Sequence, residues 1–336
     1  MADRVVTLNH GAGGETMRRF ITKLFVEKFA NPALNTLADA ALIEIEKSRL
    51  AFTTDSYIVK PIEFPGGDIG KLAVCGTVND LAVMGARPLH LSVGFIIEEG
   101  FDLSMLERIV HSMSEATRAA NVEIVTGDTK VVPRGECDGL FINTSGVGAC
   151  PLGKGLSSAP IGEGDAILVS GTIGEHGMAI LTAREGLKFQ TRIESDCAAL
   201  GGLIESVLNE CDGVKWMRDA TRGGLAAVLS ELVESQPFGA LIEEQAVPVR
   251  DDVRTVCELL GFDPMHLANE GKVVMVVRGD QRQRALEVLH ANDLGRQAVL
   301  IGRITGDGKG IVRVRTEVGG IRRLQRPAGE LLPRIC

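Results

Sequence analysis

Residues 151–165 read PLGKGLSSAPIGEGD, a stretch rich in Pro, Gly and Ser with no hydrophobic period. That is the composition of a boundary, not of a helix or strand. On each side of it lies a series of apolar segments that alternate between strand-like and helix-like character, so the chain is constrained to build two mixed α/β bodies. Its 336 residues exceed one ordinary domain of about 100–200 residues, and each half is long enough to bury its own core. The expected division is residues 1–150, residues 151–325 and a tail over 326–336 that has two prolines, a glycine and no period.

In the first half, RVVTL (4–8) reads as a strand and HGAGGE (10–15) as a glycine turn. Met17, Phe20, Ile21, Leu24, Phe25 and Phe29 then recur at helical spacing until Asn31-Pro32 stops them. LAFTTDSYIV (50–59) is β-branched and aromatic, hence a strand. IGKLAVCGTVNDLAVMG (69–85) predicts a buried helix broken only by Asn79 and Asp80. A strand at 90–99, an amphipathic helix at 104–121 and strands at 122–128 and 140–149 follow. The second half predicts strands at 166–171, 214–218, 240–244, 273–277, near 298–304 and near 310–316, and helices near 175–185, 196–210, 223–235, 251–260 and 281–291.

Composition removes several functions. A net charge of -8 with one Trp offers neither the basic stripe nor the stacking platform of a nucleic-acid binder. No apolar run approaches the ~18 residues of a membrane span, and MADRVVTLNHGAGG lacks a signal peptide's basic-then-apolar order. The seven cysteines include no CxxC pair. Reduced thiols in a cytoplasmic protein are therefore expected, not a disulfide framework or a zinc ribbon.

The Walker pattern is absent: GGDIGKL (66–72) has the wrong glycine spacing and Leu72 where Ser or Thr is required. The chain offers instead a set of aspartates at element ends, namely Asp55, Asp68, Asp128 and Asp219, plus Asp80 inside the apolar helix. Converging carboxylates hold Mg²⁺, often through substrate phosphates. GAGG (11–14) and Gly223-Gly224 could supply backbone N–H groups to phosphate. Taken singly, Asp55, Asp68, Asp128 and Asp219 each read more readily as turn or N-cap residues. Asp80 differs, because burying a charge among Val78, Leu81, Ala82 and Val83 costs several kcal/mol without a partner. Lys130 and Glu270 read by default as solvated loop charges, and His10 and His176 as turn residues in glycine loops. The internal cysteines read as packing residues. The last residue, Cys336, has no packing explanation, and most termini are frayed. Yet its tail of ~10 residues could sweep ~30 Å, and Leu331, Leu332 and Ile335 would seek an apolar contact. Those are the properties of a carrier arm. A prenylation box is excluded, since its cysteine must stand fourth from the end.

HGAGGE, TTDSYIV, FPGGDIGKLAVCGTVNDLAVMGARP, TGDTKVV, FINTSGVG, SGTIGEHGMAIL, RDATRGGL, ANEGK and the terminal PRIC occur in one order along the chain. In that order the chain resembles the HypE hydrogenase maturation factors, of the PurM/selenophosphate-synthetase-like superfamily. The resemblance implies a two-domain PurM-like α/β (α+β) fold and a homodimer whose N-terminal domains pair through a β-barrel. It also implies an ATP site in residues 1–150, which would bind and dimerise. Asp55, Asp80, Asp128 and Asp219 would be the acidic Mg²⁺–ATP positions, with Asp68 a looser match. Gly13, Gly14, Lys71, Gly223 and Gly224 would assist nucleotide binding. Cys336 would accept a carbamoyl group from HypF. ATP would then drive dehydration of the S-carboxamide to an S-cyanide, and the cyano group would pass to iron on HypC–HypD for the [NiFe] hydrogenase.

A carboxamide oxygen is a very poor leaving group, and phosphorylation by ATP makes it a good one. That chemistry calls for carboxylates around a cation, for N–H donors and for a base. The resemblance assigns Glu270 as the base and gives Lys130 a stabilising or orienting part. Two other classes stay open at this point: a PurM-like synthetase acting on a free small molecule, with the tail incidental, and a non-enzymatic scaffold.

Overall fold

The computed structural model describes residues 14–29, 31–45, 48–150, 156, 159–184, 192–327, 329 and 332–336. The expected strand at 4–8, His10, Gly13, Leu331 and much of the glycine-proline boundary fall outside the described residues.

Helix α1 (Glu15–Phe20) runs into a π-helical turn over Ile21–Val26 and a short α2 (Glu27–Phe29). Strands β1 (Ala41–Ile45) and β2 (Ser48–Tyr57) follow, then a small hairpin of β3 (Glu63–Phe64) and β4 (Gly67–Asp68). Helix α3 (Ile69–Val83), strand β5 (Arg87–Glu98), helix α4 (Leu103–Ala120), strand β6 (Glu123–Val132) and strand β7 (Leu140–Cys150) complete the first half. Its five strands form one sheet in the order β1-β2-β7-β5-β6. All neighbours are antiparallel except β5 and β6.

The second half contains β8 (Ala166–Val169), α5 (Glu175–Ala183), α6 (Gly201–Glu210), β9 (Val214–Asp219), α7 (Gly224–Val233), β10 (Gly239–Glu243), α8 (Asp251–Leu260), β11 (Val273–Val277), α9 (Arg282–His290), β12 (Val299–Thr305), β13 (Val312–Arg315) and β14 (Ile321–Leu324). Its seven strands run in the order β14-β13-β10-β12-β8-β11-β9. Strand β11 reads VVMVV and is buried throughout, which fits a strand covered on both faces.

Helix α3 joins the halves. Thirteen of its fifteen residues are buried, so it has no solvent face and reads as nearly continuous apolar sequence. Asp68 caps its N-terminus, accepting from the N–H groups of Gly70 at 2.7 Å and Lys71 at 2.9 Å. That is the N-cap reading, not a ligand's place. Asn79 explains one of the two polar interruptions. Its amide donates to the carbonyls of Ala198 at 3.0 Å and Glu270 at 3.3 Å, and its oxygen accepts from the Leu200 N–H at 2.7 Å. This side chain ties the first half to the second.

Two local expectations differ from the structure. Helix α6 begins at Gly201 rather than near 196. The preceding backbone is engaged elsewhere: the Ser195 N–H donates to Pro65 and the Ala198 N–H to Glu270. Lys130 lies within β6 rather than in a loop, because that strand extends through Val132 alongside β5.

Candidate active site

Strand β2 delivers Asp55, α3 delivers Asp80, and β9 ends on Asp219. A fourth carboxylate, Asp39, precedes β1. Oxygens of Asp39, Asp80 and Asp219 all lie within 4.8 Å of one another. Thr53 holds this corner together, with its hydroxyl 2.9 Å from both the Asp80 carboxylate and the Asp39 carbonyl. Arg218 makes a 2.9 Å ion pair with Asp39 and a 2.6 Å one with Glu231. Tyr57 places its hydroxyl 3.3 Å from the Asp55 carboxylate. Burial holds that phenol well above its ordinary value, so it stays a donor.

The cluster is under electrostatic stress. Burial first, and then Asp55, Asp219 and Asp39, push Asp80 well above the usual carboxylate range. Burial and Asp39 raise Asp219 to about 8, with Arg218 opposing. Burial raises Asp39 to about 6, again against Arg218. Hard oxygen donors that repel one another in this way fit a divalent cation such as Mg²⁺, which converts the repulsion into attraction. Asp39, Asp80 and Asp219 would hold it, with Asp55 adding to the negative field.

Asp128 does not join this cluster within one chain. It sits on β6 in a 2.6 Å ion pair with Lys130, each side chain 68% exposed. The strand order explains this placement. Asp55 pairs with Thr144, Thr144 with Val93, and Gly94 with Asp128. The two aspartates are thus nearly level in register but three strands apart, roughly 14 Å at ~4.8 Å per strand. Lys71 is also placed elsewhere, donating to the Gly66 carbonyl at 2.9 Å. Gly14 is the buried N-cap of α1.

Gly223 and Gly224 open α7 directly after β9, both with positive φ, +78° and +58°. A Cβ on Gly224 would collide with the Leu267 carbonyl oxygen, so this close approach requires glycine.

Glu270 is 3% exposed, not a solvated loop charge. Its N–H donates to Asp196 at 3.1 Å and its carbonyl accepts from Asn79, while the side-chain Oε1 is buried without a hydrogen-bond partner. Burial, then Asp219 and Asp196, push its carboxyl well above the usual range, with Arg222 opposing.

The tail is docked. The Cys336 carbonyl accepts from the Ile58 N–H at 3.2 Å, and the Arg334 carbonyl from the Lys60 N–H at 3.2 Å. Arg184 donates to the carbonyls of Pro333 and Arg334. Arg334 and Lys60 converge on Asp138. Ile335 is 6% exposed and packs in the core beneath α3, with Leu332 and Cys336 against the same cluster. Burial pushes the Cys336 thiol up to about 12. Arg222 opposes this shift, while Glu270, Asp55 and Asp219 add to it. The terminal thiol therefore lies in the electrostatic environment of the cluster and of the candidate base.

Sequence reasoning missed Asp39, Arg184, Arg222 and the role of His176. Asp39 alone had a signal, a charge among Leu37, Ala38 and Ala40, the kind that marks Asp80. His176 is fully buried, with Nδ1 2.8 Å from the Ser195 hydroxyl and Nε2 2.7 Å from the Ile335 carbonyl.

Comparison with known proteins places this geometry. Residues 37–150 match the N-terminal domain of AIR synthase related proteins, and residues 162–315 match their C-terminal domain. The carbamoyl dehydratase HypE of Rhodobacter capsulatus is 50% identical over 339 residues, spanning 100% of this chain and 99% of that protein. That of Escherichia coli K12 is 48% identical over 336 residues, spanning 98% and 99%. Among solved structures, a HypE–HypF complex superposes with a TM-score of 0.86 at 47% identity, covering 92% of this chain and 99% of that one. HypE in complex with ATP gives 0.82 at 47% identity, covering 99% and 100%. Thiamine monophosphate kinase from Aquifex aeolicus, at 17% identity and a TM-score of 0.64, shares the fold. The mixed α/β two-domain fold expected from the sequence is the fold found, and the chain belongs to the HypE family of AIR synthase related proteins.

Proposed function

We infer that this chain is an ATP-dependent carbamoyl dehydratase that converts an S-carboxamide on Cys336 to an S-cyanide, the source of a cyanide ligand for [NiFe] hydrogenase iron. The observation that carries this reading is the docked terminal thiol in the electrostatic environment of a carboxylate cluster and of a buried glutamate whose Oε1 has no hydrogen-bond partner. The relatives named carbamoyl dehydratase and the ATP complex of HypE support it.

The carboxamide S–C(=O)–NH₂ must lose its oxygen and both N–H protons to become S–C≡N. The oxygen leaves with the terminal phosphoryl group of the co-substrate ATP, as phosphate. Mg²⁺ bound by Asp39, Asp80 and Asp219 would neutralise charge on the nucleotide phosphates. Glu270 takes one amide proton and the departing phosphate carries off the other, so that carboxamide and ATP give S–C≡N, ADP and phosphate. Its environment raises its proton affinity, which makes its carboxylate a stronger base than an exposed one. Arg222 opposes the negative field at both Glu270 and Cys336 and so steadies the ionised glutamate. The core beneath Ile335 excludes water, which would otherwise hydrolyse the activated carboxamide.

The carbamoyl donor is HypF, in line with the HypE–HypF complex, and the cyanide acceptor is HypC–HypD. The protein acts in the cytoplasm as a homodimer. Strand β6 is an open edge that exposes Val125 (58%) and Val131 (67%), an apolar edge that a second copy would cover. Residues 1–150 form the dimerising, nucleotide-binding part, residues 151–325 the second body and residues 326–336 the carrier arm. Asp128 and Lys130 keep a part in nucleotide binding or catalysis only through reach along ATP or across that pairing.

Intact-mass analysis after incubation with HypF, its carbamoyl donor, ATP and Mg²⁺ tests the reading. A carbamoyl gain followed by loss of one water, both mapped to Cys336, is expected. A carbamoyl adduct that persists with ATP and Mg²⁺ present would refute dehydration.

A further inference from the structure

Carbonyls 333 to 336 of the docked tail each receive a hydrogen bond. Backbone N–H groups of residues 58 and 60 and the Arg184 guanidinium serve three of them. The Ile335 carbonyl is served by a single side chain, His176. That imidazole sits in the first turn of α5, wholly buried, with Phe64 packed edge-on at 5.6 Å between ring centroids.

Its tautomer follows from its partners. The Ser195 hydroxyl accepts the Cys197 N–H at 3.1 Å and lies 2.8 Å from Nδ1. A carbonyl can only accept, so Nε2 carries the proton and donates to Ile335, leaving Nδ1 to accept the Ser195 hydroxyl proton. Burial lowers the His176 pKa, with Asp196 opposing, which keeps the ring neutral and this arrangement fixed.

We propose that His176 is a positioning residue for the carrier arm, its Nε2–H gripping the carbonyl next to Cys336 so that the carried group is delivered beside Glu270. The geometry makes the point specific. Once the Ile335 carbonyl is pinned from α5 and the terminal Cys336 oxygen from Ile58, the backbone on both sides of the Cys336 Cα is fixed. Only the side-chain torsions of Cys336 remain free. A carried group misplaced by about 1 Å can cost on the order of a hundredfold in rate. This inference rests on the carrier reading of Cys336, so its test has one arm that needs no carbamoyl chemistry.

In the first arm, Cys336 is alkylated with iodoacetamide in the ATP-free protein and followed by peptide mapping. Docking suppresses the thiolate, so the rate reports the undocked fraction. Losing one buried hydrogen bond shifts that fraction about tenfold. His176→Phe, which keeps an aromatic ring against Phe64, is expected to raise Cys336 labelling about tenfold and leave Cys150, partly exposed and away from the tail, unchanged. His176→Gln, whose amide can donate from nearly the Nε2 position, is expected to restore most of the protection. In the second arm, carbamoylated protein is mixed with ATP and Mg²⁺ in single turnover. His176→Phe is expected to accept the carbamoyl group normally and to dehydrate it at least tenfold more slowly, with His176→Gln intermediate. Unchanged labelling in His176→Phe would overturn the proposal, and so would equal effects of Phe and Gln accompanied by a lowered Tm. Failure of the wild-type protein to dehydrate would refute the function, while the labelling arm still decides the role of His176.

Discussion

Raising the pH above 9 should weaken docking of the tail. The Cys336 thiol moves from an ordinary value of 9.0 to about 12 on docking, chiefly through burial. A raised thiol pKa means that the docked state prefers the neutral, protonated form. The docking free energy is therefore fully present below pH 9, where both states carry S–H, and is lost as pH climbs from 9 toward 12, where only the free tail ionises. By linkage, the docking constant falls about tenfold at pH 10 and about a hundredfold at pH 11. The assay is the rate of Cys336 alkylation against pH, beside a free peptide of residues 326–336. The peptide rate should level off once its thiol is ionised, near pH 9 to 10. The intact chain should be slower throughout and keep climbing about tenfold per pH unit beyond the peptide's plateau. If both profiles level off together, burial of Cys336 does not control its ionisation. The chemical consequence is a division of labour. Docked, the thiol is a poor nucleophile and cannot take a carbamoyl group efficiently, so transfer from the donor requires the arm to be out. An S-carboxamide has no proton on sulfur, so docking of the carbamoylated arm should not share this loss between pH 9 and 12.

Glu270→Gln should still accept the carbamoyl group and bind ATP but dehydrate about 10²–10⁴-fold more slowly, as read by single-turnover mass analysis; unchanged turnover removes it as the base. Asp39→Asn and Asp80→Asn each take one charge from a set of mutually repelling buried carboxylates. Both should lose Mg²⁺-dependent ATP hydrolysis with no fall in Tm, and normal hydrolysis by Asp39→Asn would exclude it from the metal site. Gly224→Ala should destabilise the protein by about 1–3 kcal/mol, because it combines a positive φ with the Leu267 carbonyl. Thermal melting measures this, and an unchanged Tm would show that the α7 entry relaxes freely.

What the sequence revealed and what it hid follow one division. Features set by neighbours along the chain were legible. The apolar run of 69–85 had to be a buried helix, and Asp80 within it had to be met by something. Features set by strand order were not. Asp39 precedes a strand and Asp128 lies within one, and nothing local tells which of them reaches the cluster. What separates them is that β1 lies against β2, with Ala41 opposite Phe52, whereas β6 is the far edge of the same sheet. Pairing therefore carries Asp39 to Thr53 and Asp80 and carries Asp128 away. His176 and Glu270 were obscured for a related reason, since their partners stand 159 residues away at Ile335 for the former and 74 residues away at Asp196 for the latter. A lone histidine in GEHGM acquires meaning only when the last residues of the chain return to it. The arm is anchored by its backbone from residue 333 onward and brings the Cys336 thiol into the buried field of Glu270, Asp55 and Asp219, so residues appended to it would have to enter the same space. Adding residues after Cys336 should therefore disrupt docking and turnover together while leaving both sheets intact. Retained dehydration in such an extended chain would show that the cleft is open at its far end and that the terminal position of the thiol is incidental.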